Sequence, residues 1–253
     1  MKNPVLTARV LQSDANCNYD WPMQVLTLLP WLDWFAVVVF FGSWTGYAWF
    51  SSHGSASRTS ILATTNRYRR QWMLETTARD PRMIDGLVTQ SLANMPSFFS
   101  STTIIIIGGL FALLGSTQQA TEVVREIPFA VRTSVLIFDL KILLLIGCFV
   151  YAFFRFTWAM RLNTFVALAV ASMPPAKEFE AGLHDRELYA TRGGKLLGFA
   201  AETFNDGLRG YYFAFALMAW FFSPVALIAS TVFVVLVLYS REFRSDVLGV
   251  LND

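Results

Sequence analysis

The stretch from Ser134 to Arg161, SVLIFDLKILLLIGCFVYAFFRFTWAMR, constrains the fold more than any other part of the chain. A helix needs roughly 20 mainly apolar residues to cross a bilayer, and this stretch is longer than that. It ends in Arg155, Trp158 and Arg161, a basic and aromatic composition that is typical of a cytoplasmic membrane interface. The sequence therefore predicts a membrane protein in which residues 134–154 form one span.

The composition indicates the same class of protein. The chain has 253 residues, of which 55% are hydrophobic and 15% are charged, whereas an ordinary soluble domain carries about 25% charged residues. A net charge of +2 is too small to indicate nucleic-acid binding. Cys17 and Cys148 do not make a disulfide framework, and the N-terminus lacks the shape of a signal peptide. We expect an all-helical integral membrane protein with no nucleic-acid partner.

Four apolar blocks predict a polytopic bundle of four transmembrane helices, with surface helices in the cytoplasmic loops. The last block, Gly210–Tyr239, would be ~45 Å long as a straight helix, which exceeds a hydrocarbon core of ~30 Å. One tilted helix kinked at Pro224 is favoured, and a re-entrant hairpin is the alternative. The predicted organisation is an interfacial N-terminal arm (1–31), a membrane domain (32–246) with spans at about 32–50, 96–114, 134–154 and 210–239, and a tail (247–253).

The loops differ in their content of basic residues, and this difference predicts the orientation. The 51–95 loop contains six Lys or Arg residues and the 155–209 segment contains seven, whereas the N-terminal arm, the 115–132 loop and the tail after Tyr239 contain two each. Cytoplasmic loops carry the excess of basic residues, so the N-terminus is expected outside, in a bacterial inner membrane. Four spans also place the tail outside, which its two arginines oppose, and a hairpin would remove that conflict.

The densest basic feature is NRYRRQWM at residues 66–73. Such a cluster is either a topology signal or a site for anionic lipid headgroups or a partner protein. The candidate lipid-binding or partner-binding residues, here and at the end of the third span, are Arg67, Arg69, Arg70, Trp72, Arg155, Trp158 and Arg161.

Three ionisable residues, Asp33, Asp139 and Lys141, fall within the predicted spans. Charged side chains are costly in lipid and need partners. Asp139 and Lys141 are two positions apart on a helix and do not face each other. We therefore expect Asp33 to pair with Lys141 across two helices, and Asp139 to find a hydroxyl, a water or a partner subunit. A buried pair that fixes helix register is favoured over an ion pathway.

Small residues predict where helices approach each other closely. Gly42 and Gly46 form a small-xxx-small step, and Gly108 and Gly109 permit a close approach in the second span. A second surface helix is expected over about residues 179–204, with an interruption near the Gly-Gly pair at 193–194.

The sequence contains no recognisable catalytic arrangement. Its two histidines, His53 and His184, both fall in predicted loops. No Ser/His/Asp order and no Cys/His pairing stands out, and no span contains the histidine that a membrane haem needs. The prediction is a protein without catalytic residues, metal site or cofactor.

Five blocks of the chain, in their order and spacing, resemble a known family. They are NRYRRQWM (66–73), ARDPRMID (78–85), SFFSSTTIIIIGGLFALLG (97–115), DLKILLLIGCFVYAFFRFTWAMR (139–161) and NDGLRGYYFAFALMAWFFSPVALIASTVFVVLVLYSREFR (205–244). They are similar to domain-of-unknown-function family 599, an uncharacterised membrane family of bacteria and plants. The resemblance implies a four-span membrane protein over most of residues 32–246, and it implies no activity or ligand.

Two classes of function follow from these observations. The first is a non-catalytic accessory, assembly or structural subunit of a membrane complex, with protein partner subunits or as a homo-oligomer. The second is a small ion or solute transporter or channel that uses Asp33, Asp139 and Lys141. The missing catalytic motifs favour the first class, and four short spans leave little room for a pathway unless the protein oligomerises.

Overall fold

A computed structural model describes residues 29–52, 60–117, 134–244 and 246–252, and all regular structure in them is helical. The prediction of an all-helical fold is confirmed. Most of the predicted N-terminal arm and 115–132 loop, as well as His53, lie outside the described residues. In chain order the helices are α1 (Trp31–Ser52), α2 (Ile61–Thr76), α3 (Met83–Gly115), α4 (Val135–Ala171), α5 (Ala176–Glu180), α6 (Arg186–Met218), α7 (Pro224–Phe243) and α8 (Asp246–Asn252), with a 3₁₀ turn (Ala219–Phe221) between α6 and α7.

Three segments of the described chain are long and apolar enough to cross a membrane. They are α3, α4 and the segment Pro224–Leu251, which contains α7. Their length and composition indicate an integral membrane protein. The predicted number of four spans is not confirmed, because α1 falls outside this set. The second half of α1, GSWTGYAWFSS, replaces aliphatic side chains with small, hydroxyl-bearing and aromatic ones.

The last apolar block does not form one kinked helix, so that prediction is wrong. α6 and α7 lie antiparallel and form a helical hairpin. Near the turn, the Ser230 hydroxyl donates to the carbonyl oxygen of Ala216 at 2.9 Å. At the far end of the hairpin, the Arg209 guanidinium lies 2.9 Å from a carboxylate oxygen of Glu242. The block therefore passes through the bundle twice.

The turn of the hairpin is set by Ser223 and Pro224. The Ser223 hydroxyl accepts a hydrogen bond from the amide of Ala226 at 3.0 Å, and Pro224 occupies the first turn of α7. Serine is a favoured N-cap residue, and proline is favoured at the first helical position because its missing N–H has no partner there in any case. The Ser-Pro pair thus starts a new helix.

The core lies between α1, α4, α6 and α7, where α6 packs along α4 and α7 packs on α1 and α6. Fully buried aromatic residues fill it, including Phe40 of α1, Phe156 of α4 and Phe213 of α6. Phe40 meets Phe213 edge-on with 5.7 Å between ring centroids, a favourable arrangement for aromatic pairs. The second half of α6 is therefore the central helix of the bundle.

Glycine positions the helices, but not at the residues predicted from the sequence. A Cβ atom at Gly42, Gly46, Gly108 or Gly109 would meet nothing within 4 Å, and all four residues are exposed. No described helix packs against them, so their predicted role is wrong within the chain. The close approach occurs at Gly207, where a Cβ atom would lie 2.5 Å from the Phe156 ring.

α6 runs without interruption through Gly193 and Gly194, contrary to the predicted break. A Cβ atom at Gly193 would lie 2.7 Å from Sδ of Met73, and one at Gly194 would lie 3.0 Å from the Cα atom of Arg70. The two glycines let the surface helix α2 lie directly on α6. The two glycines permit this packing, and glycine lowers the stability of the helix only modestly through its low helix propensity.

Candidate functional site

Lys141 occupies the most enclosed polar position among the predicted intramembrane charges. It lies about two turns into α4 and is 2% exposed. Its ammonium group donates to the main-chain carbonyl of Trp220 at 2.8 Å and lies 5.1 Å from the centroid of the Trp220 ring. Carbonyl groups at the end of a helix lack intrahelical partners, so the 3₁₀ turn supplies an acceptor for this cation.

Asp33, at the start of α1, is bound to the same tryptophan. The indole N–H of Trp220 donates to the Asp33 carboxylate at 2.6 Å, and both residues are buried. Asp33 and Lys141 form no direct ion pair in the described structure, so their predicted pairing is wrong. The turn between α6 and α7 lies between them. Within this turn, Trp220 binds Asp33 through its side chain and Lys141 through its main-chain carbonyl.

Asp139 accepts a hydrogen bond from the Thr117 hydroxyl at 2.7 Å. A hydroxyl was one of the partners expected for this carboxylate. The contact also joins the end of α3 to the start of α4. We call the region defined by Asp33, Thr117, Asp139, Lys141 and Trp220 the turn end of the molecule.

At the opposite end, a chain of charged groups ties four helices together. Asp206 of α6 lies between Arg155 of α4 and Arg209, which is 3.0 Å away. Arg209 in turn contacts Glu242 of α7 at 2.9 Å. The Tyr47 hydroxyl of α1 donates to the same carboxylate at 2.7 Å. Arg209 is 8% exposed, and its two carboxylate partners balance the charges of both arginines.

A second polar joint holds α2 against α3. The Asp85 carboxylate is fully buried, and one of its oxygens accepts from the Trp72 indole at 2.7 Å, the Thr76 hydroxyl at 3.0 Å and the Arg79 guanidinium at 2.8 Å. Arg82 donates to the carbonyls of residues 173 and 174, just after α4. Trp72, a candidate lipid or partner residue, therefore contacts its own chain.

The other candidate residues fall into two groups. Arg67, Trp158 and Arg161 are exposed. Arg70 and Arg155 form ion pairs, with Glu187 and Asp206 respectively. Arg69 lines a cavity of about 700 Å³, and Arg70 lines a smaller one of about 290 Å³.

Arg69 is partly buried and has only neutral hydrogen-bond partners in the described structure. Its guanidinium donates to the hydroxyl of Thr65 at 2.9 Å and to the side-chain oxygen of Asn66 at 2.7 Å. Burial lowers the pKa of Arg69, because removing water disfavours the charged form. An anion beside this side chain would restore the lost stabilisation of its charge.

The cavity that Arg69 lines has a volume of about 700 Å³ and lies beneath α2. Its other charged residues are Arg209, Arg241 and Glu242. Apolar side chains from α3, α6 and α7 and neutral polar side chains, among them Asn163 of α4 and Asn205 of α6, complete the walls. We call the region formed by α2, this cavity and the adjoining charged groups of Arg155, Asp206, Arg209 and Glu242 the basic end of the molecule.

Sequence reasoning missed Trp220, Arg241 and the role of Asp85. The Ser-Pro pair after Trp220 would have located the turn if it had been interpreted as a helix start. Arg241 and Arg69 are far apart in the chain and carry no shared motif. Their proximity to one cavity depends on the hairpin, which the preferred single-helix interpretation excluded.

Comparisons with known proteins give one family. The family model described as "Protein of unknown function, DUF599" matches residues 35–247. No curated protein and no solved structure shows a significant match to the chain.

Proposed function

The chain belongs to the DUF599 family, and we propose that it is a non-catalytic accessory, assembly or structural subunit of a membrane complex. The observation that carries this proposal is the bonding of the charges in the bundle. Lys141, Asp33 and Asp139 each have a hydrogen-bond partner within the chain. Buried charged groups that already have hydrogen-bond partners favour a structural role, in which they fix the register of the helices, over a role in ion transport.

The proposed topology has five membrane-crossing helices: α1, α3, α4, the second half of α6, and α7. Support for α1 comes from its contacts, since Asp33 meets the turn end and Tyr47 meets the basic end. Support for α6 comes from Gly207 and Phe213, which are buried beside α4 and α1. α7 lies antiparallel to α6 and crosses at the same depth.

Five crossings place the N-terminus and the tail on opposite sides of the membrane. We propose that the N-terminus lies outside and that the basic end faces the cytoplasm of a bacterial inner membrane, where anionic headgroups attract its exposed arginines. Arg241 and Arg244 then lie on the cytoplasmic side, in agreement with the positive-inside rule. The four-span interpretation left these two arginines unexplained.

Cysteine accessibility tests this topology. In a background with Cys17→Ala and Cys148→Ala, we expect a membrane-impermeant maleimide to label Ser116→Cys in intact cells. Arg186→Cys and Arg244→Cys are expected to react only after permeabilisation. Labelling of position 186 in intact cells would contradict the orientation, and labelling of position 244 alone would contradict the five-helix count.

A transporter remains the second candidate, and one observation favours it. An ammonium group has three N–H donors, and Lys141 has one hydrogen bond in the described structure. Asp33 and Asp139 lie at the same end of the bundle, where a proton or cation would need carboxylates. Reconstitution separates this candidate from the first.

Two measurements together test the proposed function. The chain, purified from native membranes in mild detergent, is expected to co-elute with a stoichiometric membrane partner whose level falls when the gene is deleted. In proteoliposomes containing a pH-sensitive dye, we expect proton flux no greater than in protein-free vesicles. Flux that Asp139→Asn abolishes and the surface control Asp185→Asn preserves would reject the accessory role in favour of transport.

A further inference from the structure

The cavity at the basic end is built from one face each of two helices. Its roof is α2, which contributes residues at positions 61, 62, 65 and 69, one side of a helix. Its floor is α6, which contributes positions 197, 200, 201, 204, 205, 208, 209 and 212, again one side. α3, α7 and Asn163 of α4 supply the remaining walls. The volume of about 700 Å³ lies in the usual range for small-molecule sites.

The charged lining of the cavity is predominantly cationic. Three guanidinium groups and one carboxylate line it, and the carboxylate of Glu242 is already bound to Arg209 and Tyr47. Arg69 bonds to a hydroxyl and an amide oxygen. Arg241 bonds to the Tyr212 hydroxyl and lies 5.8 Å from the centroid of that ring. Neither Arg69 nor Arg241 has a carboxylate partner among the described residues.

Two arginines with only neutral partners make this cavity complementary to an anion. Guanidinium groups offer planar, forked donors that match phosphate and carboxylate oxygens. Charge-assisted hydrogen bonds of this kind are about twice as strong as neutral ones. An anionic group bound here would replace the water that Arg69 has lost through burial.

Exposed apolar side chains of α3 line one side of the cavity. Leu92 and Met95 line it from α3 and are 44% and 57% exposed, on a helix that is apolar enough to cross a bilayer. Phe204 and Leu208 of α6 line the interior. A ligand entering from the bilayer would thus pass apolar side chains before it reached the arginines.

We propose that this cavity binds an anionic membrane lipid. The headgroup phosphate lies between Arg69 and Arg241, and one acyl chain runs along Leu92, Met95 and Phe204 and continues into the bilayer. The inference goes beyond the accessory role and does not depend on it, because it concerns a ligand of the isolated chain.

Native mass spectrometry of the purified full chain in a neutral detergent tests this inference. The probes are phosphatidylglycerol, phosphatidylcholine with the same acyl chains, and inorganic phosphate. We expect one phosphatidylglycerol to bind at least tenfold more tightly than phosphatidylcholine. We expect no retention of inorganic phosphate, because phosphate lacks the chain that the apolar wall would hold.

The variants separate the cavity from the rest of the basic surface. The double substitution Arg69→Gln with Arg241→Gln is expected to reduce the preference for phosphatidylglycerol to less than twofold. The matched control is Arg67→Gln with Arg244→Gln, which removes two exposed arginines that are close in sequence to Arg69 and Arg241. This control is expected to retain the preference for phosphatidylglycerol. Ala201→Phe, which fills the cavity floor without removing charge, is expected to weaken the binding of phosphatidylglycerol at least tenfold.

Each outcome decides the inference once gel filtration shows that the variants are folded. Equal binding of the two lipids by the unsubstituted chain would overturn it. Equal losses in the cavity and control doubles would assign binding to the general basic surface and would also overturn it. Retention of inorganic phosphate as strong as that of phosphatidylglycerol would overturn the lipid assignment in favour of a soluble phosphate ligand. Failure of the accessory role would show in the co-elution measurement and leave these results unchanged.

Discussion

The two ends of the molecule use charge in different ways. At the turn end, Lys141 and Asp33 are buried and both are bonded to Trp220. At the basic end, Arg69 and Arg241 line a cavity and have only neutral partners in the described structure. Charged groups that have partners within the chain stabilise the fold, whereas charged groups that line a cavity without a counterion are available to a ligand.

The difference follows from what each end offers the charged groups. The turn end supplies a carbonyl of a helix terminus and an indole N–H, so one cation and one anion are accommodated without meeting directly. The group of charged residues at the basic end includes two carboxylates, Asp206 and Glu242, and Arg155 and Arg209 already use them. Arg69 of α2 and Arg241 at the end of α7 therefore have only neutral partners in the described structure.

The largest effect is expected from Lys141→Met at the turn end. The substitution leaves the Trp220 carbonyl without its charged donor, and losing a buried hydrogen bond from a charged group costs about 3 kcal/mol of unfolding free energy. Thermal and denaturant unfolding in detergent measures this loss. Lys195→Met, on an exposed position of α6, is the matched control and is expected to change stability little.

Asp33→Asn sharpens the same comparison, because it distinguishes bonding through Trp220 from a direct ion pair. An asparagine oxygen still accepts from the indole N–H, so the expected loss is about 1 kcal/mol, near the net value of one hydrogen bond. A loss equal to that of Lys141→Met would indicate that a direct ion pair carries the stability, contrary to the geometry.

The sequence predicted the helical class and the long apolar segments because both depend on local composition. It also singled out Asp33, Asp139 and Lys141, since any charge in an apolar run is conspicuous. Their actual partners were harder to predict. Lys141 donates to a main-chain carbonyl. Every residue has such a carbonyl, so the residue types do not indicate which one binds the cation.

The cavity could not be predicted for a different reason. Its arginines come from α2 and α7, and they meet only because the chain reverses at residues 219–223. The interpretation of Pro224 as a kink removed that reversal. The same proline is a helix start because Ser223 precedes it as a cap. Whether Ser223 and Pro224 start a new helix therefore determines which distant residues line the cavity.

A second pair of substitutions separates packing from charge at the basic end. Gly207→Ala places a methyl group 2.5 Å from the Phe156 ring, and overpacking a buried contact costs about 1–3 kcal/mol. Gly108→Ala, where nothing lies within 4 Å, is the matched control and is expected to be neutral or to gain up to about 1 kcal/mol in helix propensity. Equal effects on the unfolding temperature would contradict the packing of α6 on α4.

The measurement that tests the contrast between the ends most directly is the rise in unfolding temperature on adding phosphatidylglycerol. A ligand that binds only the folded chain stabilises it by about 2.7 kcal/mol at a concentration of a hundred times Kd. We predict that Lys141→Met lowers the starting temperature and keeps the rise. We predict that Arg69→Gln with Arg241→Gln keeps the starting temperature and loses the rise. The account is contradicted if Lys141→Met abolishes the rise while the double arginine variant retains it.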